Sequence, residues 1–534
     1  MIFTPVFIFI IIFSDTLSKK IEKDGWEVSI FYGGTDKEKD RTKGIKEISG
    51  FIGDIICDDK KDPKDVIRKL KACAKTFSTA QMAAIVYGKA FNTKTGKWEK
   101  ADYDGIYGKL RPDQKYAFDK IKNAIDKGVL SDDSDIKIIN RVNGTSGSGK
   151  TLLMVLLLRY CLDHKKRVLL SYFGVSPINA IFKKELFGLV KKDLEGKISR
   201  KKIPDSLKRK AVKESEDLTG EYFNPSTDMK KLREAAKKYD ISLPPTVTRL
   251  KNLTIAHSEK TDTVLKAREK FDLFIYDEFH RFSYNRSVKE SCQNIEKIIA
   301  RSESTVLLTD ELQRLTGKDI SGEFFNSLSP DKYLINRFSL WSQFRCGSDE
   351  GYVTWVENVL QIENTPEEKN AYVVRKKGKR KNISLKELDF NAEIARDAKE
   401  VENLIIKSKK AALLSEGSGA EISGLFRDKR VRNLICKENE HGNTKTRGRN
   451  GSILLKNSFN TQGIEFEEVV VIIDKNIDYK NKKICFAKPV SGVNAEEELN
   501  FLKNKYRVLL TRGLKKCTIY PVNKDLREYL LSQK

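Results

Sequence analysis

Short apolar runs alternate with helix-like stretches along most of the chain beyond residue 110. The runs rich in β-forming residues lie at positions 136–142, 168–173, 272–276, 305–308 and 469–474, and a helix-like run occupies positions 152–159. Runs that are apolar at nearly every position are typical of strands buried on both faces of a parallel sheet. Their alternation with helices predicts an α/β fold in which helices cover parallel sheets.

The length of the chain, 534 residues, exceeds what one hydrophobic core usually serves, so we expect two or three domains. Residues from about 14 to 105 carry no motif that indicates chemistry, and they predict a small accessory domain. Residues 2–13 form an apolar run that is too short to cross a bilayer and has no basic segment before it. We interpret this run as a buried strand or a misassigned start, with a signal sequence as the alternative.

Residues 144–151 read Gly-Thr-Ser-Gly-Ser-Gly-Lys-Thr and match the phosphate-loop pattern G-x-x-x-x-G-K-[ST] between a predicted strand and a predicted helix. The turn predicts a nucleoside triphosphate site in which Lys150 reaches the β and γ oxygens and Thr151 ligates Mg²⁺. A Gly/Ser linker that matches by chance is the alternative. The residues predicted to surround the phosphates are Gly144, Ser146, Gly147, Ser148 and Gly149.

Acidic and amide side chains follow the next two predicted strands of this region. Asp277 and Glu278 end the strand at 272–276, and Asp310 and Gln313 follow the strand at 305–308. The carboxyl ends of parallel strands share one edge of a sheet, which is where ligands bind. We therefore expect Asp277 to hold Mg²⁺ and Glu278 to orient and deprotonate water, while the amide of Gln313 senses the γ-phosphate.

The net charge is +26, from 101 basic and 75 acidic side chains. An excess of this size favours a polyanionic partner, for which nucleic acid is the natural candidate; a lysine-rich proteome is the alternative explanation. Lysines are dense in residues 183–210, which predicts a basic helical insertion. The eight cysteines form no C-x-x-C pair, so the sequence indicates neither a zinc site nor a disulfide framework. We expect a cytoplasmic protein without stable membrane association.

Seven short segments follow one another in a fixed order, and they include Gln-Phe-Arg-Cys-Gly at 343–347 and Tyr-Arg-Val-Leu-Leu-Thr-Arg-Gly at 506–513. The order resembles that of superfamily-one helicases, and these two segments are similar, more narrowly, to those of the Schlafen-group DNA/RNA helicase-domain family. The resemblance covers roughly residues 106–525. The ordered segments are Gln114, the phosphate loop, 277–280, 310–313, 342–346, 462–466 and 506–512.

Carried onto the matching positions, the resemblance implies two RecA-like lobes with ATP between them. It implies that Gln114 contacts adenine, that Glu465 touches the nucleotide sugar, and that Gln313 senses the γ-phosphate. Arg345 and Arg512 would reach the phosphates from the second lobe, where a planar guanidinium can stabilise the charge of the transferring phosphoryl group. Arg507, five residues before Arg512, would point elsewhere if both lay on one helix, so we interpret it as structural.

The resulting division has an accessory region at residues 1–105, a first lobe at 106–335 with an insertion at about 183–250, and a second lobe at 336–534. The predicted function is an ATP-dependent helicase or translocase that uses ATP and Mg²⁺ and binds single-stranded DNA or RNA. Thr309 stands where these helicases usually have glycine, and residues 457–462 lack the usual Thr and His. Hydrolysis is thus better supported than unwinding, and the alternative is a nucleic-acid-activated ATPase switch, for example in defence.

Overall fold

A computed structural model describes most of the chain from residue 79 onward, together with one short earlier strand. The described residues are 26–29, 79–92, 94–127, 136–145, 147–172, 185–201, 203–218, 225–257, 269–281, 287–340, 346, 350–362, 373–376, 384–388, 390–408, 410–437, 445–448, 451–461, 464–488 and 494–533. The apolar run at residues 2–13 lies outside them. Among the described residues, no helix has the length and apolar character needed to cross a membrane.

Three helices and three short strands are described before the first sheet. They are β1 (Trp26–Ser29), α1 (Thr79–Tyr87), β2 (Lys89–Asn92), β3 (Lys97–Lys100), α2 (Tyr103–Tyr107) and α3 (Pro112–Lys127). Strands β2 and β3 form an antiparallel hairpin. Helix α1 buries Ala83, Ile85, Val86 and Tyr87 in the same core as α3. Residues 79–105, predicted to belong to an accessory region, therefore share the core of the lobe that follows.

The first lobe is built on a six-stranded, all-parallel sheet in the order β6-β5-β7-β8-β4-β9. Alternate residues of a strand enter two separate cores: Leu273 and Ile275 face one, and Phe274 and Tyr276 the other. Helices therefore cover both faces, as predicted. The strands are β4 (Lys137–Gly144), β5 (Val168–Tyr172), β6 (Leu253–His257), β7 (Phe271–Asp277), β8 (Ser302–Thr309) and β9 (Tyr333–Leu340).

The helices of the first lobe include the predicted insertion between β5 and β6. The phosphate loop leads into α4 (Lys150–Asp163), and the insertion consists of α5 (Phe187–Ser199), α6 (Asp205–Leu218), α7 (Pro225–Lys238) and α8 (Pro245–Arg249). The lobe is completed by α9 (Val288–Ile299), which a Ser287/Glu290 capping box begins, and by α10 (Glu323–Ser327). The hydroxyl of Tyr87 donates to Asp193 of the insertion at 2.7 Å, which ties α1 to α5.

The second lobe repeats the architecture with a six-stranded parallel sheet in the order β11-β18-β15-β12-β14-β13. Its elements are α11 (Glu350–Val359), β10 (Val373–Lys376), β11 (Asn391–Ile394), α12 (Ala398–Lys407), β12 (Ala411–Leu414), α13 (Gly419–Gly424), α14 (Lys429–Leu434), β13 (Ile435–Lys437), β14 (Ile453–Lys456), α15 (Ser458–Thr461), β15 (Phe466–Ile473), β16 (Ile477–Lys480), β17 (Lys483–Phe486), α16 (Ala495–Leu510), β18 (Gly513–Pro521) and α17 (Lys524–Ser532). Strand β10 pairs with β1. The predicted fold, two parallel α/β lobes with a helical insertion, is confirmed.

Helix α16 ends at Leu510, so Arg512 lies beyond it and not on the same helix as Arg507. The helical angle on which the interpretation of Arg507 depends does not apply to this pair. Both arginines are buried, with relative exposures of 1% and 0%. Helix α16 and the turn after it therefore deliver two arginines to the interior, and their partners are described below.

Candidate nucleotide site between the lobes

The phosphate loop has the backbone that an anion site requires. Gly147 and Gly149 have φ angles of +86° and +89°, a region that glycine enters without a steric penalty. Helix α4 begins directly after its N-cap residue Gly149, which has no side chain to cap the first N–H groups. Those N–H groups and the positive end of the helix dipole form a site suited to phosphate. Ser146 lies outside the described residues.

The side chain of Lys150 folds back over the phosphate loop. Its Nζ donates to the carbonyl oxygen of Gly144, at the end of β4, and to that of Thr145 at 3.2 Å. The side chain is buried, and its charge helps to lower the pKa of Asp310 on a neighbouring strand end. The loop and the acids of adjacent strands therefore face one another across the sheet edge, as the strand order predicts.

Gln114 is fully buried against the phosphate loop. Its Nε2 donates to the carbonyl oxygen of Ser148 at 2.8 Å, and its Oε1 accepts the backbone N–H of Arg111 at 3.1 Å. Both ends of the amide thus bind the protein, which fixes the start of α3 against the loop. Contact between Gln114 and adenine stays a prediction.

Two of the predicted metal and water residues end strand β7. Asp277 is its last residue and is buried, and Glu278 follows with a φ of +55°. A positive φ is uncommon for a residue with a side chain, and such conformations cluster at functional sites. Thr151, the predicted partner of Asp277 on Mg²⁺, is half-buried in the first turn of α4.

His280 is completely buried beside Glu278. Burial lowers the pKa of His280, although the nearby carboxylates of Glu278 and Asp310 favour its charged form. The ring is therefore neutral at neutral pH. Its Nδ1 accepts the backbone N–H of Asp310 at 3.3 Å, which assigns the ring proton to Nε2, 3.2 Å from Glu278 Oε2. The histidine therefore lies between two strand ends of the first lobe, those of β7 and β8.

Asp310 and Gln313 form a short turn after β8, which we call the sensor turn (residues 310–314). Gln313 Nε2 donates to Asp310 Oδ2 at 2.6 Å. Burial alone would raise the pKa of Asp310, but the positive charges of Arg507 and Lys150 and the amide of Gln313 hold it below its usual value. Asp310 is therefore an ionised carboxylate that receives positive charge from both lobes.

The second lobe reaches this turn through both buried arginines. Arg512 Nη2 donates to Gln313 Oε1 at 3.4 Å, and its Nη1 donates to the carbonyl oxygen of Ile464 at 3.5 Å. Arg507 bonds Glu357 of α11 through Nε and Nη2 at 2.9 and 2.7 Å, while its Nη1 lies 3.9 Å from Asp310. The structure brings Arg512 to the sensor turn, and it gives Arg507 a contact between lobes that the sequence did not indicate.

The structure describes only some of the other residues that were predicted to act from the second lobe. Glu465 is exposed and lies immediately before β15. Arg345 and Gln462 lie outside the described residues. Tyr352, an aromatic residue close to the 342–346 segment, packs in the second-lobe core and donates its hydroxyl to the carbonyl oxygen of Leu510 at 3.0 Å.

A further contact between the lobes joins the segment after Glu278 to α15. The guanidinium of Arg281 lies 4.9 Å from the centroid of the Phe459 ring and pairs with Asp319 at 3.4 Å. Lys505 of α16 approaches the same ring at 5.7 Å. Phe459 belongs to the segment that lacks the Thr and His usual in superfamily-one helicases, and it contacts the first lobe through its aromatic face. No sequence signal distinguishes this phenylalanine from a core residue.

The family model for the Schlafen group 3 DNA/RNA helicase domain matches residues 137–523. A structural match is the crystal structure of the DUF1998 helicase MrfA bound to DNA, with a TM-score of 0.36, 11% sequence identity and 89% of this chain covered. The chain spans 59% of that protein's chain. No curated protein matches the sequence. Because the family model covers well over half of its residues, the chain belongs to the Schlafen group 3 DNA/RNA helicase-domain family.

Proposed function

We propose that this chain is a cytoplasmic ATP-dependent nucleic-acid helicase or translocase that hydrolyses ATP between its two lobes. The observation that carries the proposal is the contact of Arg512 with Gln313, 3.4 Å apart, at the sheet edge that bears the phosphate loop. A phosphate held at that loop would lie between a first-lobe amide and a second-lobe guanidinium. Such a site would be complete only while the lobes are together, which links hydrolysis to lobe movement.

The phosphate chain would be bound by the first lobe. The first N–H groups of α4 follow directly after the Gly147–Gly149 turn, and the positively charged side chain of Lys150 lies over the same loop. Thr151 and Asp277 are the oxygen donors that would hold Mg²⁺, which prefers such ligands. Bound Mg²⁺ would neutralise charge on the phosphate oxygens during transfer.

The chemical step needs a base for water and positive charge for the transferring phosphoryl group. Glu278 is suited to be the base, because its left-handed backbone turns it away from the strand and neutral His280 lies 3.2 Å from its Oε2. His280 places no positive charge beside this carboxylate, because burial lowers the pKa of the imidazole. Gln313 and Arg512 would contact the γ-phosphate from opposite lobes, with Arg345 as a further predicted contact.

The positive charge of the chain is the basis for proposing a nucleic-acid partner. Exposed cations on α6 and α7, among them Arg209, Lys213, Arg233 and Lys237, give the insertion a basic surface, and the whole chain carries +26. We propose single-stranded DNA or RNA as the ligand, contacted mainly through its phosphates. The departures at Thr309 and in residues 457–462 favour keeping a second candidate, an ATPase switch that nucleic acid activates without unwinding.

The decisive experiment measures ATP turnover of the full chain against single- and double-stranded DNA and RNA, followed by strand displacement on duplexes with single-stranded tails. We expect turnover to depend on Mg²⁺ and to rise with single-stranded nucleic acid. Stimulated turnover with displacement supports a helicase, and stimulated turnover without displacement supports a translocase or switch. Absence of turnover with every nucleic acid would overturn the proposal.

A further inference from the structure

Helix α16 turns one stripe of side chains toward the first lobe. Glu497, Phe501, Asn504 and Arg507 follow one another at intervals of four, three and three residues, which places them on one face of the helix. All four contact the sensor turn. Arg507 Nη1 lies 3.9 Å from Asp310 Oδ2, and Asn504 Nδ2 donates to the carbonyl oxygen of Arg314 at 2.9 Å.

The remaining two residues of the stripe contact the Arg314 side chain. Its guanidinium lies 5.7 Å from the centroid of the Phe501 ring and 4.0 Å from the carboxylate of Glu497. Phe501 and Asn504 are buried, whereas Glu497 is half-exposed at the rim. The stripe therefore has a buried centre in contact with backbone and an exposed edge.

The sensor turn itself is anchored in the first lobe. Glu311 pairs with Arg141 of β4 at 2.7 Å, and both side chains are almost fully buried. Arg141 also lies over the Phe325 ring, 4.4 Å from its centroid. The backbone N–H of Asp310 donates to His280. Because removing one partner of a buried ion pair is strongly destabilising, this pair holds the turn in the first lobe.

Helix α16 is anchored equally firmly in the second lobe. Tyr506, Leu509 and Leu510 lie in its hydrophobic core. The stripe thus belongs to the second lobe and the sensor turn to the first, so their contacts depend on how the two lobes are placed relative to each other. Directional contacts are the most sensitive to that position, and the 2.9 Å bond from Asn504 is the shortest of them.

We infer that this stripe is the coupling surface through which γ-phosphate sensing at Gln313 sets the closure of the lobes. Asn504 is its central positioning residue: it binds the carbonyl of the residue after Gln313 and lies apart from the phosphate loop. A shift of the Gln313 side chain toward a phosphate alters the turn and therefore the bond that Asn504 makes. This inference rests on the proposed ATPase function and adds the route by which nucleotide state reaches the second lobe.

The test compares Asn504→Asp and Asn504→Ala with Asn500→Asp, a matched control one turn earlier on the same helix where the side chain is exposed. For each full-length protein, the affinity for single-stranded nucleic acid is measured with and without a non-hydrolysable ATP analogue, and the ratio of the two affinities is the coupling. Affinity for the analogue alone, turnover and thermal unfolding are measured beside it. The coupling is the readout that a merely structural role for Asn504 would leave unchanged.

Asn504→Asp places a carboxylate against a carbonyl oxygen and removes the donor, so we expect the coupling to fall about tenfold or more. Asn504→Ala keeps a good helix former and should give a smaller loss of coupling. If the aspartate variant unfolds, the coupling measured for the alanine variant tests the inference. Analogue affinity and the control should stay near parental values. Parental coupling in a folded Asn504 variant, or an absence of coupling in an active parent, overturns this inference alone; a parent without turnover overturns the proposed function with it.

Discussion

Removal of the Arg512 guanidinium tests whether the two lobes share one active site. In the structure the side chain has no solvent exposure, and its contacts include two long hydrogen bonds, at 3.4 Å to Gln313 and 3.5 Å to Ile464. Long bonds of this kind contribute about 1 kcal/mol each or less to folding. An arginine that stabilises a phosphoryl-transfer transition state contributes about 10³- to 10⁵-fold in turnover, or roughly 4–7 kcal/mol. The effect on catalysis should therefore exceed the effect on stability.

The assay measures nucleotide affinity, nucleic-acid-stimulated turnover and thermal unfolding for Arg512→Ala and Arg512→Lys. Arg527→Ala is the matched control, because Arg527 also donates two hydrogen bonds but both stay within the second lobe, to Tyr520 and Pro521 at 3.2 and 3.1 Å. We expect Arg512→Ala to bind ATP and to lose about 10³-fold or more in turnover. Lysine should restore little, since an ammonium lacks the planar fork. Turnover near the parental rate in both Arg512 variants, with the control also unaffected, would refute a shared site.

Three more predictions address phosphate binding, the basic insertion and pH. Lys150→Ala should weaken ATP binding, whereas Glu278→Gln should preserve binding and slow turnover by about 10²-fold or more; equal turnover in Glu278→Gln and the parent would contradict the assignment. Log affinity for nucleic acid should fall linearly with log salt. The double reversal Arg209→Glu with Lys213→Glu should make that slope shallower by about 0.7–0.9 for each phosphate that the protein no longer neutralises. An unchanged slope would exclude this surface as a contact for nucleic acid. Burial lowers the pKa of His280 below 6.5, so the unfolded chain binds more protons than the folded one as pH falls below 6.5. The free energy of unfolding should decline there, and His280→Asn should flatten that part of the profile in chemical denaturation; an identical decline in the variant would exclude His280 as its source.

The fold and the first-lobe half of the site follow from local signals in the sequence. The strand, loop and helix around residues 137–163 and the acids after β7 depend on short contiguous segments, and the structure has them within a few residues of the predicted bounds. Burial on both faces makes these strands apolar throughout, which is why they are visible without an alignment. The basic insertion is likewise evident from its lysines.

The contacts between lobes could not be predicted in the same way. Gln313 and Arg512 are 199 residues apart, and their meeting depends on how two independently folded sheets are docked. Arg507 was interpreted through a helical angle that the end of α16 at Leu510 makes inapplicable. Asn504 is an ordinary polar residue in a helix, and only the position of the Arg314 carbonyl gives it a role. Glu357 similarly has no local signature.

The contacts between the insertion and α1 affect how short a fragment of this chain can be and still fold. Arg249 donates to the carbonyl oxygens of Val86 and Tyr87 at 2.6 and 2.8 Å, and α1 fills the core beside α4. A fragment trimmed to the family boundary at residue 137 would expose that apolar surface and leave the Arg249 guanidinium without these acceptors. Such a fragment should be prone to aggregate, since a large exposed apolar surface associates with other apolar surfaces. We therefore expect the smallest fragment that folds stably to extend upstream to at least residue 79, well before the phosphate loop.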